Sequence, residues 1–232
     1  MNESNSDPTG GRLYIVSTPI GNLKDITLRA LEVLKNVDLI AAEDTRRTRI
    51  LLQHYNFHTP TTSYYDFNKE KKLPPLLARL EAGQTLALVS DAGTPGISDP
   101  AYRFVRECIS RQIQLEAVPG ATAFVPAVIL SGLPTDRFVF EGFLPQKKGR
   151  QTRLEFLRSE SRTIVLYESP HRVHRTLRDL FTHLGDREVS VARELTKKYE
   201  DVIRGRLSAL SADPDRIKAK GEFVLVIKGQ ND

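Results

Sequence analysis

From Leu13 onward, short apolar runs alternate with stretches of helical periodicity, and that alternation constrains the fold more than any other feature of the sequence. A short apolar run bounded by turn residues is a strand covered on both faces. A helix between two such runs returns the chain so that the next strand pairs in parallel. LYIVS (13–17), DLIAAE (38–43), TLALVS (85–90) and IQLEAV (113–118) are the strands predicted for a first α/β domain with a mainly parallel sheet. Between them, Leu28, Leu31 and Leu34 share a helical face behind Asp25 or Thr27 as N-cap, and Asp44 opens a second helix, DTRRTRILLQHY. Pro74 and Pro75 fit the start of a helix that ends at Gly83, and AYRFVRECIS follows Pro100. IQLEAV leads through Pro119 and Gly120 into a helix of small residues.

A boundary is predicted near SGLPTD (131–136), after which a new strand set begins. FVFEGFL (138–144), TIVLYE (163–168), VSVARE (189–194) and EFVLVIK (222–228) are its apolar members, with RVHRTLRDLFTHLG as a helix among them. YEDVIRGRL (199–207) alternates polar and apolar residues, the pattern of an antiparallel strand with one wet face. The expected organisation is a disordered tail over 1–11, an N-terminal α/β domain over 12–133 and a C-terminal α/β domain with a mixed sheet over 134–232.

Composition excludes several classes. With 232 residues, 40% hydrophobic and 27% charged, and with Gly 14 and Pro 13, the chain is neither disordered, collagen-like nor a coiled coil. A single cysteine, Cys108, excludes an internal disulfide framework and any multi-cysteine zinc site, and points to a reducing, cytoplasmic setting. The N-terminal MNESNSDPTGG is polar, without the apolar core of a secretory signal. The longest apolar stretch, from Ala121 to Leu130, is interrupted by Thr122 and Pro126 and is too short to span a bilayer, so no membrane partner is expected. The net charge of +5 suits a polyanion such as RNA.

Chemistry is expected in three loops rich in glycine, proline and small residues: STPIGNLKD (17–25), SDAGTPGISDP (90–100) and VPGATAF (118–124). Each follows a strand of the first domain, and ligands of open α/β sheets bind at the carboxyl ends of strands, so the loops should converge on one pocket. None reads GxGxxG or GxxxxGK[ST], and Asp91 and Asp99 would repel a phosphate. A neutral or cationic ligand held by backbone groups fits better.

Taken in order, VSTPIGNLKDITLRA, AAEDTRRT, VSDAGTPGISDP, VPGATAF, FEGFLP, YESPHRV, RELTKKYE and GEFVLVI resemble the tetrapyrrole (corrin/porphyrin) methylase superfamily, and its ribosomal branch most closely. The likeness runs from about Leu13 to Lys228. It implies S-adenosylmethionine as methyl donor and 2′-O-methylation of a cytidine in the decoding region of 16S rRNA, naked or in the small subunit. It also implies a homodimer whose two-domain protomers fold the cofactor into the cleft between domains. Carried over by position, Thr18, Pro19 and Gly21 stand in the first cofactor loop, Asp91, Ala92 and Gly93 in the second, and Gly120, Ala121 and Thr122 in the third. Tyr167, Glu168, Ala192, Arg193 and Phe223 would line the cofactor from the second domain; the alternative for Glu168 is to neutralise Arg172, four residues on, as a helix-face pair. The first loop departs from the Gly-rich GxGxGD turn common in the superfamily, which argues against a corrin substrate.

A ribose hydroxyl is a weak nucleophile, so a positioned base would help. Glu43 and Asp44 are the favoured candidates, with Asp91 and an unprotonated Lys197 behind them; Asp44 also stands where a helix N-cap belongs. Arg46, Arg47 and Arg49 can hold phosphates beside the pocket. Lys147, Lys148, Arg150 and Arg153 read as a backbone-binding arm. Lys69, Lys71 and Lys72 with Tyr64, Tyr65 and Phe67 interleave cations and aromatics, as a surface that stacks unpaired bases does, or else form a solvated helix start beside core aromatics. His171 and His174 lack a third ligand, so no metal is expected. The competing functions are a small-molecule methylase acting on a tetrapyrrole and a non-catalytic rRNA-binding assembly factor.

Overall fold

The computed structural model describes residues 10–98 and 101–230. The chain divides between Thr122 and Ala123 into two compact units.

In the first unit, β1 (Arg12–Val16), β2 (Leu39–Ala42), β3 (Thr61–Ser63), β4 (Thr85–Val89) and β5 (Gln114–Val118) form one sheet in the order β3-β2-β4-β1-β5. Every pairing in it is parallel. The connections are α1 (Leu28–Asn36), α2 (Thr45–His54), α3 (Lys69–Glu81) and α4 (Ala101–Ser110). Alternation along each strand sorts side chains onto the two faces. Leu39, Ala41, Leu86 and Leu88 pack with Leu73, Leu77, Phe104 and Cys108 of α3 and α4. Ile40, Ala42, Ala87 and Val89 pack with Ala30, Leu34, Leu51 and Leu52 of α1 and α2. Both faces are covered, which is why β2 reads Leu-Ile-Ala-Ala without a polar break.

The second unit holds α5 (Phe124–Ser131), β6 (Phe138–Phe143), α6 (Arg150–Arg158), β7 (Thr163–Glu168), α7 (Val173–Leu184), β8 (Glu188–Arg193), β9 (Asp201–Arg206), α8 (Leu207–Ala212) and β10 (Phe223–Ile227). Its sheet runs β6-β7-β10-β8-β9 and is mixed: β6 and β7 are parallel, the other pairs antiparallel. Leu154, Leu157, Leu177, Leu180 and Leu210 from α6, α7 and α8 cover one face. The alternating segment 199–207 supplies β9, antiparallel to β8 as its pattern predicts.

Three expectations are corrected. The boundary lies at 122/123, not 133/134, because α5 packs on β7, β8 and β10, with Phe124 5.0 Å from the Phe140 ring. Pro74 and Pro75 lie inside α3, which begins at Lys69. The carbonyls deprived of donors there belong to the exposed residues Glu70 and Lys71, while Leu73, Leu76, Leu77 and Leu80 anchor the buried face. Of the predicted tail, residues 1–9 lie outside the described residues, and Gly11 is buried.

Cys108 is fully buried, and burial pushes its thiol up to about 12. Only thiolate reacts, so alkylation of the native protein at pH 8 is expected to run at least about 100-fold slower than in denaturant. Equal rates in the two conditions would show that α4 opens freely.

Candidate active site

The three predicted loops meet at the carboxyl edge of the first sheet. Beyond β1, the Thr18 amide donates to Gly93 O (2.9 Å) and the Gly93 amide returns a bond to Thr18 O (3.0 Å), zipping the first loop to the second. The Ser17 amide donates to Val118 O at 3.2 Å, tying the first loop to the end of β5, where the third loop begins. Ser17 Oγ and Thr94 Oγ1 share a hydrogen bond of 2.8 Å, and Thr94 Oγ1 donates to Ala121 O at 3.2 Å. One hydroxyl thus touches all three loops. Sequence reasoning misses Ser17 and Thr94; a Ser or Thr beside each glycine-rich turn is the signal that could have found them.

Glycine is required at two of these points. Gly93 sits at φ +83° with Ile20 and Ala121 O close by, a conformation that side chains with a Cβ rarely adopt. A Cβ on Gly120 would lie 2.9 Å from the Ser17 Cβ, so the third loop passes too close to the first for any side chain. Ala92, Gly120 and Gly21 are exposed on this edge, whereas Thr18 is buried and Pro19, Ala121 and Thr122 are half-buried.

Acidic groups stand at the junction of β2 and β4. Glu43 follows β2, and its Oε2 accepts a hydrogen bond from the Asp91 amide at 3.1 Å. Asp91 Oδ2 faces Arg47 Nε at 3.5 Å, while its Oδ1 is buried with no hydrogen-bond partner among the described residues. Asp99, the other acid expected in this loop, lies outside the described residues.

Asp44 is the N-cap of α2: its Oδ1 accepts from the Arg46 amide at 2.8 Å, and the Arg46 guanidinium grips both oxygens. Those bonds from Arg46 hold its carboxyl at about 2, too acidic for a useful base near neutral pH. Lys197 is corrected as well. Burial alone would lower it, but bonds to Glu222 (2.8 Å) and Glu194 (2.9 Å) raise it above its ordinary value, so it stays a cation. Glu43 and Asp91 remain as the candidate bases.

The residues expected to reach the cofactor from the second unit are largely committed elsewhere. Glu168 is 2% exposed and accepts from Thr176 Oγ1 (2.6 Å), the Ser169 amide (2.7 Å) and Arg172 (2.8 Å). Phe223 lies in the core of that unit and Ala192 is fully buried. Arg193 donates to Tyr199 O at 3.1 Å. Tyr167 packs edge-on against Phe140 at 5.0 Å; burial raises its phenol, and its hydroxyl meets the backbone of Phe124 and Ala123.

The basic arm also divides. Lys147 and Lys148 are exposed, but Arg150 is 4% exposed, bonded to Asp179 (2.8 Å), Thr176 (2.8 Å) and Pro145 O (3.1 Å). Arg153 makes a two-pronged pair with Glu141, both contacts 2.6 Å. Positive charge in the sequence pattern does not distinguish a free cation from one whose partner arrives with a distant strand or helix. Arg46, Arg47 and Arg49 are exposed on α2.

A parallel sheet and a mixed sheet in successive units, with glycine-rich loops joined at one carboxyl edge, are features of a methylase fold. The chain belongs to the tetrapyrrole (corrin/porphyrin) methylase family, whose profile matches residues 12–211. Its similar relatives include proteins named ribosomal RNA small subunit methyltransferase I. The Synechocystis protein is 56% identical over 221 residues, covering 94% of this chain and 79% of that one. The Thermotoga maritima protein is 47% identical, covering 95% and 99% respectively. Among solved structures, a cobalt precorrin-4 methyltransferase superposes with a TM-score of 0.69 at 18% identity over 93% of this chain and 94% of that one. A diphthine synthase gives 0.72 at 15% identity over 94% and 90%. A Thermus thermophilus uroporphyrin-III C-methyltransferase, solved with S-adenosyl homocysteine, gives 0.65 at 18% identity over 94% and 97%. These structures share the fold.

Proposed function

We propose that this protein transfers the methyl group of S-adenosylmethionine to the 2′-oxygen of a cytidine ribose in the decoding region of 16S rRNA. The 56% identity to a relative named as a small-subunit rRNA methyltransferase carries the reading. The loop cluster suits the donor. Its exposed backbone at Ala92 and Gly120, and the unpartnered Asp91 Oδ1, fit a ligand bearing a sulfonium and an amino group better than a phosphate. Bound there, the donor supplies an electrophilic methyl on a good leaving group, so the chain's own task is alignment. The zipped loops hold the donor side rigid. Glu43, one strand over, takes the proton of the attacking hydroxyl, and the exposed Arg47 and Arg49 hold phosphates of the strand, while Arg46 stays clasped to Asp44.

The proposal extends to a cytoplasmic homodimer. Val125 and Ile129, exposed on α5, support a partner surface, and among the described residues no helix is long and apolar enough to cross a membrane.

The test is single-turnover methyl transfer from labelled donor to 16S rRNA, to small subunits and, separately, to a porphyrinogen, with the product mapped. Label on a cytidine ribose is expected. Label on a tetrapyrrole alone, or donor binding without transfer to any RNA, would refute the reading. Within the same assay Glu43→Gln is expected to lower the rate at least about tenfold, roughly 1.4 kcal/mol of barrier. Asp44→Asn should stay within about twofold, since Asn caps a helix as well as Asp. The reverse pattern would return the role of base to Asp44.

A further inference from the structure

Strand order divides the carboxyl edge of the first sheet into two chemistries. The loops after β4, β1 and β5 are the glycine-rich ones joined around Ser17 and Thr94. On the other side of β4 lie the ends of β2 and β3; the segments leaving these two strands mix cations with acids, and the one after β3 adds aromatic rings, with Asp66 in the turn paired to Lys69 at 2.9 Å. β3 runs parallel to β2 with Ser63 opposite Ala42, and the Tyr64 amide donates to Ala42 O at 2.8 Å. Glu43 and the turn after β3 therefore leave the sheet from neighbouring points, about 5 Å apart by strand spacing.

That turn presents Phe67 with 97% of its surface exposed. It is not a loose tip. The Asn68 side chain accepts from the Tyr65 amide (2.9 Å) and donates to Ser63 Oγ (3.0 Å), and the Asn68 amide donates to Tyr65 O at 3.0 Å. Tyr64 is buried against Phe104 with ring centres 5.2 Å apart, pinning the base of the turn. Tyr65 lies beside Phe67 at 6.5 Å. A benzene ring held wholly in water gains nothing for the fold, because its hydrophobic contribution comes only on burial. A turn braced to keep it there is built for a planar, apolar-faced partner.

We propose that the Tyr65–Asn68 turn is a nucleobase platform: Phe67 stacks on an unpaired base of the substrate strand next to the nucleotide whose ribose reaches Glu43. The inference rests on the reading of the chain as an RNA methyltransferase and names the half of the edge that recognises the strand. Exposed Lys71, three residues beyond the turn, and exposed Arg49, on the helix that follows β2, supply phosphate contacts. Stacking is tolerant of base identity, so the platform orients the strand and leaves the choice of nucleotide to groups nearer the reacting ribose.

The experiment measures binding of a fluorescein-labelled single-stranded oligonucleotide of the 16S decoding region, with donor binding, sedimentation mass and methyl transfer recorded on the same proteins. Phe67→Ala is expected to weaken RNA binding at least fivefold, Phe67→Trp to keep it within twofold, and neither to change donor affinity. The salt dependence of binding should be the same for Phe67→Ala as for the wild type, since stacking releases no counterions, whereas Arg49→Ala with Lys71→Ala should make it shallower. Unchanged RNA affinity in Phe67→Ala, while the wild type binds and methylates RNA, overturns the platform alone. A drop in mass on Phe67→Ala overturns it too, by making the turn a contact between two copies of the chain. A wild type that neither binds nor methylates RNA overturns the platform together with the methyltransferase reading.

Discussion

A Gly93→Val protein is expected to stay folded and to lose S-adenosylmethionine binding by at least about 100-fold, roughly 2.7 kcal/mol of affinity. Gly93 exchanges two backbone bonds with Thr18 and stands at φ +83° between Ile20 and Ala121 O. Valine there is strained whatever space surrounds it, and the cost of about 1–3 kcal/mol is relieved most cheaply by breaking the Thr18 bridge. The first and second loops then part, and the ligand loses a wall assembled from both. The site lies outside the packed clusters of the sheet, so the melting transition should remain cooperative. Calorimetry of donor binding, with a thermal melt as control, reads the outcome. Near-wild-type affinity in a folded Gly93→Val protein would remove this loop from the cofactor site.

The second large effect is on stability. Glu168→Ala is expected to cost about 3–5 kcal/mol, the usual penalty for removing one partner of a buried ion pair, and to lower the melting temperature by roughly 6–20 °C for a chain of this size. Glu168 accepts from Thr176, Ser169 and Arg172 at once. Thr176 also accepts from the buried Arg150, which in turn binds Asp179. Deleting the carboxylate removes the charge partner of Arg172, which keeps Ser169 Oγ and Leu144 O, and strips Thr176 of its acceptor, so the first turn of α7 loses its anchor to the end of β7. Glu168→Gln should recover part of the loss by keeping one acceptor oxygen. Donor affinity of the folded variants should match the wild type. Intact stability with lost donor binding would make Glu168 the cofactor contact that its motif suggested.

The contrast between these two residues shows what the pattern of residues could and could not convey. Glu168 and Gly93 both stand at strand ends inside recognisable motifs, YESPHRV and VSDAGTPGISDP. The glycine is legible because its demand is local: a tight turn with positive φ needs Gly wherever it occurs. The role of the carboxylate is only partly local. Its pair with Arg172, four residues on, is legible in the sequence, but its burial and its link through Thr176 to Arg150 arise only when α6 and α7 pack on their sheet. The same holds for the four-residue basic arm, where Asp179 and Glu141 claim Arg150 and Arg153 but leave Lys147 and Lys148 exposed. Asp44 lies between the cases. Its capping role is visible in the sequence, but the Arg46 clasp that makes it so acidic is a matter of rotamers.

By itself the sequence determined the two α/β units, the parallel character of the first sheet, most of the strands and the loops that carry the site. These arise from hydrophobic period, glycine and proline, each of which acts over a few residues. Tertiary structure alone decided where the units divide, since α5 comes after β5 in the chain but buries its apolar side on β7, β8 and β10. It also decided that β3, half-buried and three residues long, completes the first sheet, and that this strand sets the exposed Phe67 beside the end of β2. A strand so short has no period to read. Its register comes from pairing with a neighbour about twenty residues away, and only the folded sheet supplies that neighbour.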